Sequence, residues 1–521
     1  MAASLFWIAV ITAIYLVMIL CLGYIGYKKT KAAEDYLVAG RNVHPVVIAL
    51  SYGATFISTS AIVGFGGQAA NLGMGLIWLT VFNIGVGILL AFVIFGKKTR
   101  EIGSRLKAIT FPDLMGKVYS SAFMQIVSGI VIIIGMPLYT AAVLIGGAQF
   151  IKETLGISYT ASLIGFAVIV AIYVIFGGLI AVMYTDAVQG TIMLVGMTIL
   201  LIFTYIILGG VTAAHTALTN MADMVPAKLA EQGMNGWTVM PDLGSPIWFT
   251  LVTTLVLGVG IGVLAQPQLV VRFMTAKDNR SLNRAVLVGG PFILMMTGVA
   301  FTVGALTNVY FYQTGGMLAV TAAGGNVDSV IPLFINLSTP DWFTVLFMVT
   351  LLAAAMSTLS SLFHTMGTAL ICDVWGRGRE CALSLKANQA GVLVMIVASV
   401  IVAFLMPGSI IAIATAMFMG LCASAFLPVF AVAVYCKKPD PMAAKVSLVV
   451  GAAVWFLWAL FVNARYAAVF GLSKATVGTT SVLPYPWNAI DPLIIGLPLS
   501  ALVILILQAR SGRHKGEVSP V

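Results

Sequence analysis

Residues 51–60 read Ser-Tyr-Gly-Ala-Thr-Phe-Ile-Ser-Thr-Ser, a polar run in the middle of the apolar stretch 45–74. Gly64, Gly66 and Gly67 follow the run closely. A stretch of this length can cross a bilayer as a helix. Polar residues and glycines at its centre would interrupt the helix, and the backbone groups freed there need partners inside the membrane. The stretch therefore predicts a broken membrane-spanning helix.

A second apolar stretch, 247–271, has the same character. Three glycines precede Ala265-Gln266-Pro267-Gln268, and the proline cannot continue a helix. The two interrupted spans are five spans apart in the predicted order, the offset that a five-plus-five inverted repeat gives. A matched pair favours a transporter with its site between the two breaks. The alternative is that glycine and proline only kink two packed helices.

The composition of the 521 residues indicates a membrane protein, because 60% are hydrophobic and only 8% are charged. That charge is about a third of the share in soluble domains, so it excludes a cytoplasmic enzyme, a nucleic-acid binder and a disordered chain. We predict an all-α protein with thirteen membrane spans. They are 4–27, 45–74, 77–96, 122–150, 158–178, 187–210, 247–271, 285–311, 344–371, 388–405, 410–435, 444–464 and 489–509.

The basic residues orient these spans. With the N-terminus outside and the C-terminus in the cytoplasm, 23 of the 27 Lys and Arg residues lie in cytoplasmic loops, including those from Arg272 to Arg284. We therefore predict a multi-pass protein of the plasma (inner) membrane whose spans contain no Arg or Lys. The net charge of +10 is then explained by basic loop residues, which set the topology and contact membrane lipid. It indicates neither a nucleic-acid partner nor an obligatory protein partner.

The spans form a single polytopic domain, 1–510, followed by a cytoplasmic tail, 511–521. Within the domain we expect an extra N-terminal helix, two inverted repeats and two further C-terminal helices. Their bounds are 4–27, 45–210, 247–435 and 444–509.

Hydroxyl groups cluster in the ninth span at Ser357, Thr358, Ser360 and Ser361. Hydroxyl and carbonyl oxygens are hard ligands that suit Na⁺, although such hydroxyls can equally bond to their own helix. Asp186 is the acidic residue placed at the edge of a span, where it could cap the sixth span or bind an ion or a proton.

Three motifs resemble the sodium:solute symporter family, which includes carriers of proline, pantothenate, monocarboxylates and sugars. The resemblance runs from Asp35-Tyr36-x-x-x-Gly40-Arg41 to about residue 440. The motifs are Gly177-Gly178-Leu-Ile-Ala181-Val182-Met-Tyr-Thr185-Asp186-Ala-Val-Gln189, Gln266-Pro267-Gln268-x-x-x-Arg272-Phe273-Met274, and Ala354-x-x-Ser357-Thr358-Leu-Ser360. The resemblance implies a fold similar to LeuT, with a ten-helix core, one helix before it and two after it.

The resemblance also implies a sodium site between the first and eighth core helices. Its ligands would be the carbonyls of Ala54, Ile57 and Ala354 and the hydroxyls of Ser357 and Thr358. Some members hold a second sodium, for which the matching residues here are Asp186, Ser360 and Ser361. Sodium is then co-transported with the solute, and no other cofactor is expected.

The solute site is expected next to the broken helices. Its predicted residues are Thr55, Phe56, Ser58, Thr59, Tyr139, Val259, Val263, Gln266 and Gln268. The family's proline carriers have an aspartate where this chain has Phe56, and aromatic residues where it has Val259 and Val263. These differences favour sodium-coupled uptake, by alternating access, of a small organic carboxylate such as a monocarboxylate.

Other functions remain open at this point. They are sodium-coupled transport of proline or pantothenate, a proton-coupled carrier that would use Asp186, and a channel or membrane sensor. An intramembrane enzyme is not expected, because His364 has no nucleophile or metal motif to accompany it.

Overall fold

The computed structural model describes residues 2–29, 37–376 and 385–514. In these ranges the regular structure is helical, and the one β feature is an isolated bridge between Val43 and Ala276. Asp35 and Tyr36, which begin the family resemblance, lie outside the described residues, as does most of the predicted tail. The prediction of an all-α protein is confirmed within these ranges.

Seventeen helices carry the architecture and are numbered in chain order. They are α1 Ala2–Lys29, α2 Pro45–Phe56, α3 Ser60–Leu72, α4 Met74–Arg105, α5 Phe111–Val118, α6 Ala122–Leu155, α7 Tyr159–Ile207, α8 Val211–Asn220, α9 Pro246–Met274, α10 Asn279–Gly315, α11 Val327–Ser338, α12 Asp341–Trp375, α13 Leu385–Leu405, α14 Ile411–Tyr435, α15 Pro441–Phe461, α16 Ala464–Phe470 and α17 Pro492–His514. Short helical turns and loops connect them.

Eleven helices in the described ranges are long and apolar enough to cross a membrane, and the bent pair of α2 and α3 makes twelve. The predicted number of thirteen is therefore not established. The expected span 158–178 accounts for the difference between twelve and thirteen. Its apolar helical segment, Tyr159–Ile172, is shorter than a full membrane span.

Both predicted breaks are present. Helix α2 ends at Phe56, Ile57 is extended (φ −91°, ψ 100°), and α3 continues after a bend of 55°. In α9, Gln266 is extended (φ −70°, ψ 120°) and a new helical segment, Pro267–Met274, starts at the proline. Proline suits this first position because its missing N–H has no partner there in any helix. The two interruptions predicted from sequence are therefore confirmed.

Helix α7 differs from the prediction. It bends at Gly178, whose φ of 62° and ψ of 170° lie in a region that favours glycine, and its apolar span begins there rather than at residue 187. Asp186 consequently lies inside the helix and not in its first turn. The interpretation of Asp186 as a helix cap is wrong for this reason.

The core of the molecule lies around α12. In its most apolar window 94% of the residues are buried, compared with 17% for α1, which lies at the periphery. Helix α12 packs against α7, α6, α13 and α2. A helix that is apolar all round and buried from every side can place polar side chains only against other helices. The hydroxyls of Ser357 and Thr358 on α12 accordingly face the end of the broken helix α2.

Candidate functional site

The first cluster joins the end of α2 to the middle of α12. The Ser357 hydroxyl donates to the Ala54 carbonyl at 2.9 Å and lies 3.1 Å from the Ala354 carbonyl. The Thr358 hydroxyl donates to the Thr55 carbonyl at 3.0 Å and lies 3.3 Å from the Ala54 carbonyl. All of these residues are fully buried.

Chain geometry explains why these oxygens are available. The last carbonyls of a helix have no partner within the helix, and α2 ends inside the protein at Phe56. The carbonyls of Ala54 and Thr55 therefore turn to the hydroxyls of α12. Ile57 follows in the extended turn, directly beside them. The structure thus brings four of the five residues of the predicted sodium site into mutual contact, with Ile57 adjoining.

The chemistry of this first cluster is that of neutral oxygens. It contains no ionised side chain, and the described residues hold no group of three or more His, Cys, Asp or Glu side chains able to bind a metal. Neutral hydroxyl and carbonyl oxygens are hard ligands, suited to an alkali cation rather than to a transition metal.

The second cluster surrounds Asp186 on α7. Its Oδ2 atom accepts hydrogen bonds from Ser51 at 2.8 Å and Thr55 at 3.3 Å, both on α2. It also lies 2.9 Å from Nη2 of Arg272 on α9. The carboxylate is 0% exposed and the guanidinium 1%, so this is a fully buried ion pair.

The burial of Arg272 contradicts the expectation that no Arg or Lys lies in the core. Its Nε donates to Ser51 at 2.9 Å, Nη1 donates to the Gln268 carbonyl at 2.7 Å, and Nη2 donates to Thr55 and Ser361. An intramembrane carboxylate is stable only with a partner, and that requirement is the sequence signal that could have placed Arg272 here. The distribution of basic residues along the sequence instead predicted that Arg272 lies in a cytoplasmic loop.

The serines predicted for a second sodium differ in their environment. The Ser361 hydroxyl donates to the Ser357 carbonyl at 3.2 Å and lies 3.1 Å from the Thr55 hydroxyl, within the Arg272 cluster. Ser360 bonds within its own helix, to the Ser357 carbonyl at 3.0 Å. Asp186 and Ser361 therefore come together around the guanidinium. Ser360 does not join them, because its hydroxyl bonds to a carbonyl of its own helix.

A small cavity lies beside the first cluster, with a volume of about 20 Å³. Four of the predicted solute-site residues line it, namely Phe56, Ser58, Tyr139 and Val259. The Tyr139 hydroxyl is 3.4 Å from the Phe56 carbonyl and 3.4 Å from the Ser58 hydroxyl, so it bridges the break. The wall also contains Ile57, Ala61, Phe65, Leu79, Asn83, Thr297, Phe301, Thr415 and Met419.

The other predicted solute-site residues do not line this cavity. Thr55 belongs to the Arg272 cluster, and Thr59 donates to the Val143 carbonyl at 2.9 Å. Val263 is buried in the core. Gln266 and Gln268 are hydrogen-bonded to each other through their side chains.

A second cavity adjoins the Arg272 cluster. Gln268, Arg272, Ser361 and His364 are among the residues of its wall. Of the predicted solute-site residues, four line the first cavity and Gln268 lines the second, so the structure does not bring the whole set together.

Sequence reasoning missed Asn83 on α4. Its side chain is 2% exposed, it lines the first cavity, and its Oδ1 atom has no hydrogen-bond partner. A buried amide without a partner is costly, so such a group usually serves a ligand or water. An amide within the apolar span 77–96 was the signal that could have identified it.

Comparison with known proteins gives a consistent picture. The sodium:solute symporter family model matches residues 36–451. The chain is 26% identical to the osmoregulated proline transporter OpuE of Bacillus subtilis over 90% of each chain. It is 28% identical to the sodium/pantothenate symporter of Haemophilus influenzae over 85% of this chain and 88% of the relative.

A solved structure shares the fold. It is the substrate-bound, outward-open state of a Na⁺-coupled sialic acid symporter, with a TM-score of 0.74, 17% identity and 96% coverage of both chains.

The broken helices and the buried oxygen clusters define a multi-pass membrane transporter of the LeuT-like class. The chain belongs to the sodium:solute symporter family. It is accordingly a secondary transporter and not an enzyme, and sodium is the ion that it co-transports.

Proposed function

We propose that the chain carries a small organic carboxylate into the cell together with sodium, by alternating access. Sodium binds at the neutral cluster, to the carbonyls of Ala54, Ile57 and Ala354 and the hydroxyls of Ser357 and Thr358. These groups belong to α2 and α12, so a bound ion would hold the two helices together. The carboxylate solute binds at the break of α2, at the adjoining small cavity, which opens further to admit it in the course of alternating access.

The chemistry of the cavity wall carries the solute proposal. No residue of that wall has a charged side chain, and its polar groups are Ser58, Asn83, Tyr139, Thr297 and Thr415. Hydroxyls and an amide can donate to a carboxylate, and sodium bound next to them supplies the positive charge. Aromatic and aliphatic side chains make the rest of the wall, which suits an apolar body.

The absence of an acidic side chain from this wall weighs against an amino acid such as proline. A solute with a cationic amine would lose its hydration without gaining a counter-ion. A carboxylate that lacks an amine, such as a monocarboxylate or pantothenate, avoids that cost. The relatives named for proline and for pantothenate transport cover both solute types, and the wall chemistry supports the carboxylate without an amine.

The finer topology belongs to the same proposal. Thirteen spans, with 45–210 and 247–435 as inverted repeats, would place the N-terminus outside and the C-terminus in the cytoplasm. The excess of Lys and Arg on one side supports this orientation, because basic loops remain in the cytoplasm.

Counterflow uptake into proteoliposomes tests the proposal. Labelled monocarboxylates, pantothenate, proline and sugars are compared with sodium, with choline, and with a pH gradient in place of sodium. We expect uptake of a carboxylate in sodium only. Preferential uptake of proline would contradict the solute class, and uptake driven by the pH gradient alone would favour the proton-coupled carrier.

A further inference from the structure

A large pocket lies away from the transport site, where the helices α4, α5 and α14 end. Its volume is about 570 Å³, within the range of roughly 300–1,000 Å³ that small-molecule sites occupy. The residues of its wall belong neither to the two oxygen clusters nor to the two cavities beside them. We call it the basic pocket, and its charged residues are Lys98, Glu101, Arg105, Lys117 and Lys437.

The sequence of α4 brings much of this charge to one helix face. Lys98, Glu101 and Arg105 are separated by three and four positions, so their side chains follow one another along the helix. Lys117 lies in the last turn of α5, and Lys437 follows the end of α14. Three helix ends therefore bring four cationic side chains and one carboxylate to the same pocket.

Two of the four cations already have a counter-charge. Lys98 lies 3.5 Å from the Glu101 carboxylate, and Lys117 pairs with an aspartate of its own helix at 2.8 Å. Among the residues that the structure describes, Arg105 and Lys437 form neither a hydrogen bond nor an ion pair. The basic pocket therefore has two positive charges for which the described part of the chain supplies no anion.

The helix ends by themselves do not account for these two cations. A helix C-terminus carries a partial negative charge of about half a unit, and basic residues commonly lie near it. Lys117 follows this rule, because its ammonium group donates to the Lys107 carbonyl just after the end of α4, at 2.9 Å. Within the described ranges, Arg105 and Lys437 make no contact of this kind, so their charge is available to a ligand.

The basic pocket lies at the boundary between the apolar and the charged part of α4. Ile94, one turn before Lys98, is exposed, and an exposed apolar side chain of a membrane-spanning helix faces lipid. Tyr435 belongs to the pocket wall, and its hydroxyl donates to the Ile94 carbonyl at 2.9 Å. Tyrosine is typical of the level where acyl chains meet headgroups. A ligand in the pocket therefore has an apolar surface on one side and water on the other.

We propose that the basic pocket binds the phosphate group of an anionic membrane lipid. The planar guanidinium of Arg105 can donate two parallel hydrogen bonds to phosphate oxygens, and Lys437 adds a compact positive charge. Basic pockets between membrane helices bind anionic headgroups in this way. The acyl chains would lie against the exposed apolar face of α4 at Ile94.

A free phosphate ester has the same headgroup chemistry and lacks the acyl chains. The apolar surface directly beside the pocket favours the lipid over the free ester, because only the lipid covers that surface. The site is additional to the transport function, since it contains none of the residues assigned to sodium or to the solute.

Native mass spectrometry of the purified, delipidated full-length protein tests the proposal without a transport assay. The probes are dioleoylphosphatidylglycerol, dioleoylphosphatidylcholine and glycerol phosphate. The second lipid has the same chains but a choline that neutralises its phosphate, and the third probe is a free phosphate ester. We expect phosphatidylglycerol to bind, phosphatidylcholine to bind more weakly, and glycerol phosphate not to bind at the same concentration.

Paired substitutions locate the binding site. Arg105→Gln with Lys437→Gln removes the two unpaired cations, so the affinity for phosphatidylglycerol should fall roughly 30-fold. Arg284→Gln with Lys438→Gln is the matched control, because it removes one arginine and one lysine that are exposed and lie outside the pocket. The control should bind as the wild type does. Since all four side chains are exposed, both variants should unfold at the wild-type temperature without lipid.

The outcomes decide the proposal and the source of the phosphate. Unchanged affinity in Arg105→Gln/Lys437→Gln, or an equal loss in the control, would overturn the basic pocket as the site. Equal binding of the two lipids would overturn the need for a negative charge. Tight binding of glycerol phosphate that is lost in the pocket variant would overturn the lipid and support a free phosphate ester. None of these results bears on sodium-dependent uptake, which is measured separately.

Discussion

Two neighbouring clusters on α12 differ in whether they contain charged side chains. At Ser357 and Thr358, only neutral oxygens meet the end of α2. One turn further along, at Ser361, the same two helices meet a buried carboxylate and a buried guanidinium. Thr55 links the clusters, because its carbonyl belongs to the first and its hydroxyl to the second.

The difference indicates what each cluster can do. A neutral cluster has no fixed charge, so a cation can enter and leave at a cost set by its hydration. A paired cluster carries its own cation, and removal of either partner leaves an uncompensated charge in a fully buried place. The first arrangement suits reversible ion binding, and the second suits a permanent connection between helices.

The largest expected effect comes from breaking the ion pair. Asp186→Asn should lower the stability of the protein by about 3–5 kcal/mol, because it leaves the Arg272 guanidinium buried without a counter-charge. The unfolding temperature in detergent measures this. Asp186→Asn combined with Arg272→Gln should recover most of the loss, since neither charge remains.

The exposed ion pair of Lys98 and Glu101 provides a control for this prediction. It is 3.5 Å long, and its two side chains are 49% and 42% exposed. Lys98→Gln should change stability by less than about 1 kcal/mol, because water screens the pair. A loss at Asp186 as small as that at Lys98 would contradict the interpretation of a buried, compensated charge.

The next effect concerns the neutral cluster. Ser357→Ala with Thr358→Ala removes two ligand oxygens at about 1 kcal/mol each, so the sodium concentration for half-maximal uptake should rise roughly 30-fold. Thr350→Ala is the control, because the Thr350 hydroxyl lies on the same helix and bonds only to the Leu346 carbonyl at 3.1 Å. Unchanged sodium dependence in the double variant would contradict the assignment of the sodium site to Ser357 and Thr358.

A smaller effect is expected at the cavity. Asn83→Leu removes an amide available to the solute, so the solute KM should rise about fivefold while the sodium requirement stays unchanged. Thr80→Val is the matched control, because its unpartnered hydroxyl lies on the same helix but does not line the cavity. Equal KM values for the two variants would indicate that Asn83 does not contact the solute.

The last prediction concerns another buried carboxylate, Asp328, which lies outside the spans and has neither sodium nor arginine beside it. Asp328 accepts from the backbone N–H groups of Ile410 and Ile411 at 3.0 and 3.3 Å, at the start of α14. Burial raises its pKa from 3.8 to about 7, against the opposing effect of these hydrogen bonds. It thus represents a carboxylate held by a helix end instead of a cation.

The raised pKa of Asp328 sets the direction of its pH dependence. The folded protein holds the proton more tightly than the unfolded chain, so its contribution to stability is lost as pH rises from about 4 to about 7. Asp328→Asn should flatten this part of the curve of unfolding temperature against pH. The same slope in the variant would mean that another group titrates.

Much of the fold followed from sequence. Apolar length predicted the membrane helices. The polar run at 51–60 and Pro267 predicted both breaks, since such residues at mid-membrane favour an interruption whose backbone groups bond elsewhere in the protein. The oxygen ligands of the neutral cluster came from the family motifs. The helix count and the start of the sixth span did not follow from sequence, because Gly178 bends a helix that remains apolar on both sides.

The sequence by itself determined that the chain lies in a membrane, where its helices break and which residue types supply neutral oxygens. These are local properties of composition, length and backbone chemistry. Only the tertiary structure decided that Arg272 on α9 and Asp186 on α7 meet, and that Asn83 faces the cavity. Charge pairing and cavity lining depend on helices distant in sequence packing together, and the count of basic residues carried no information on which of them turns inward.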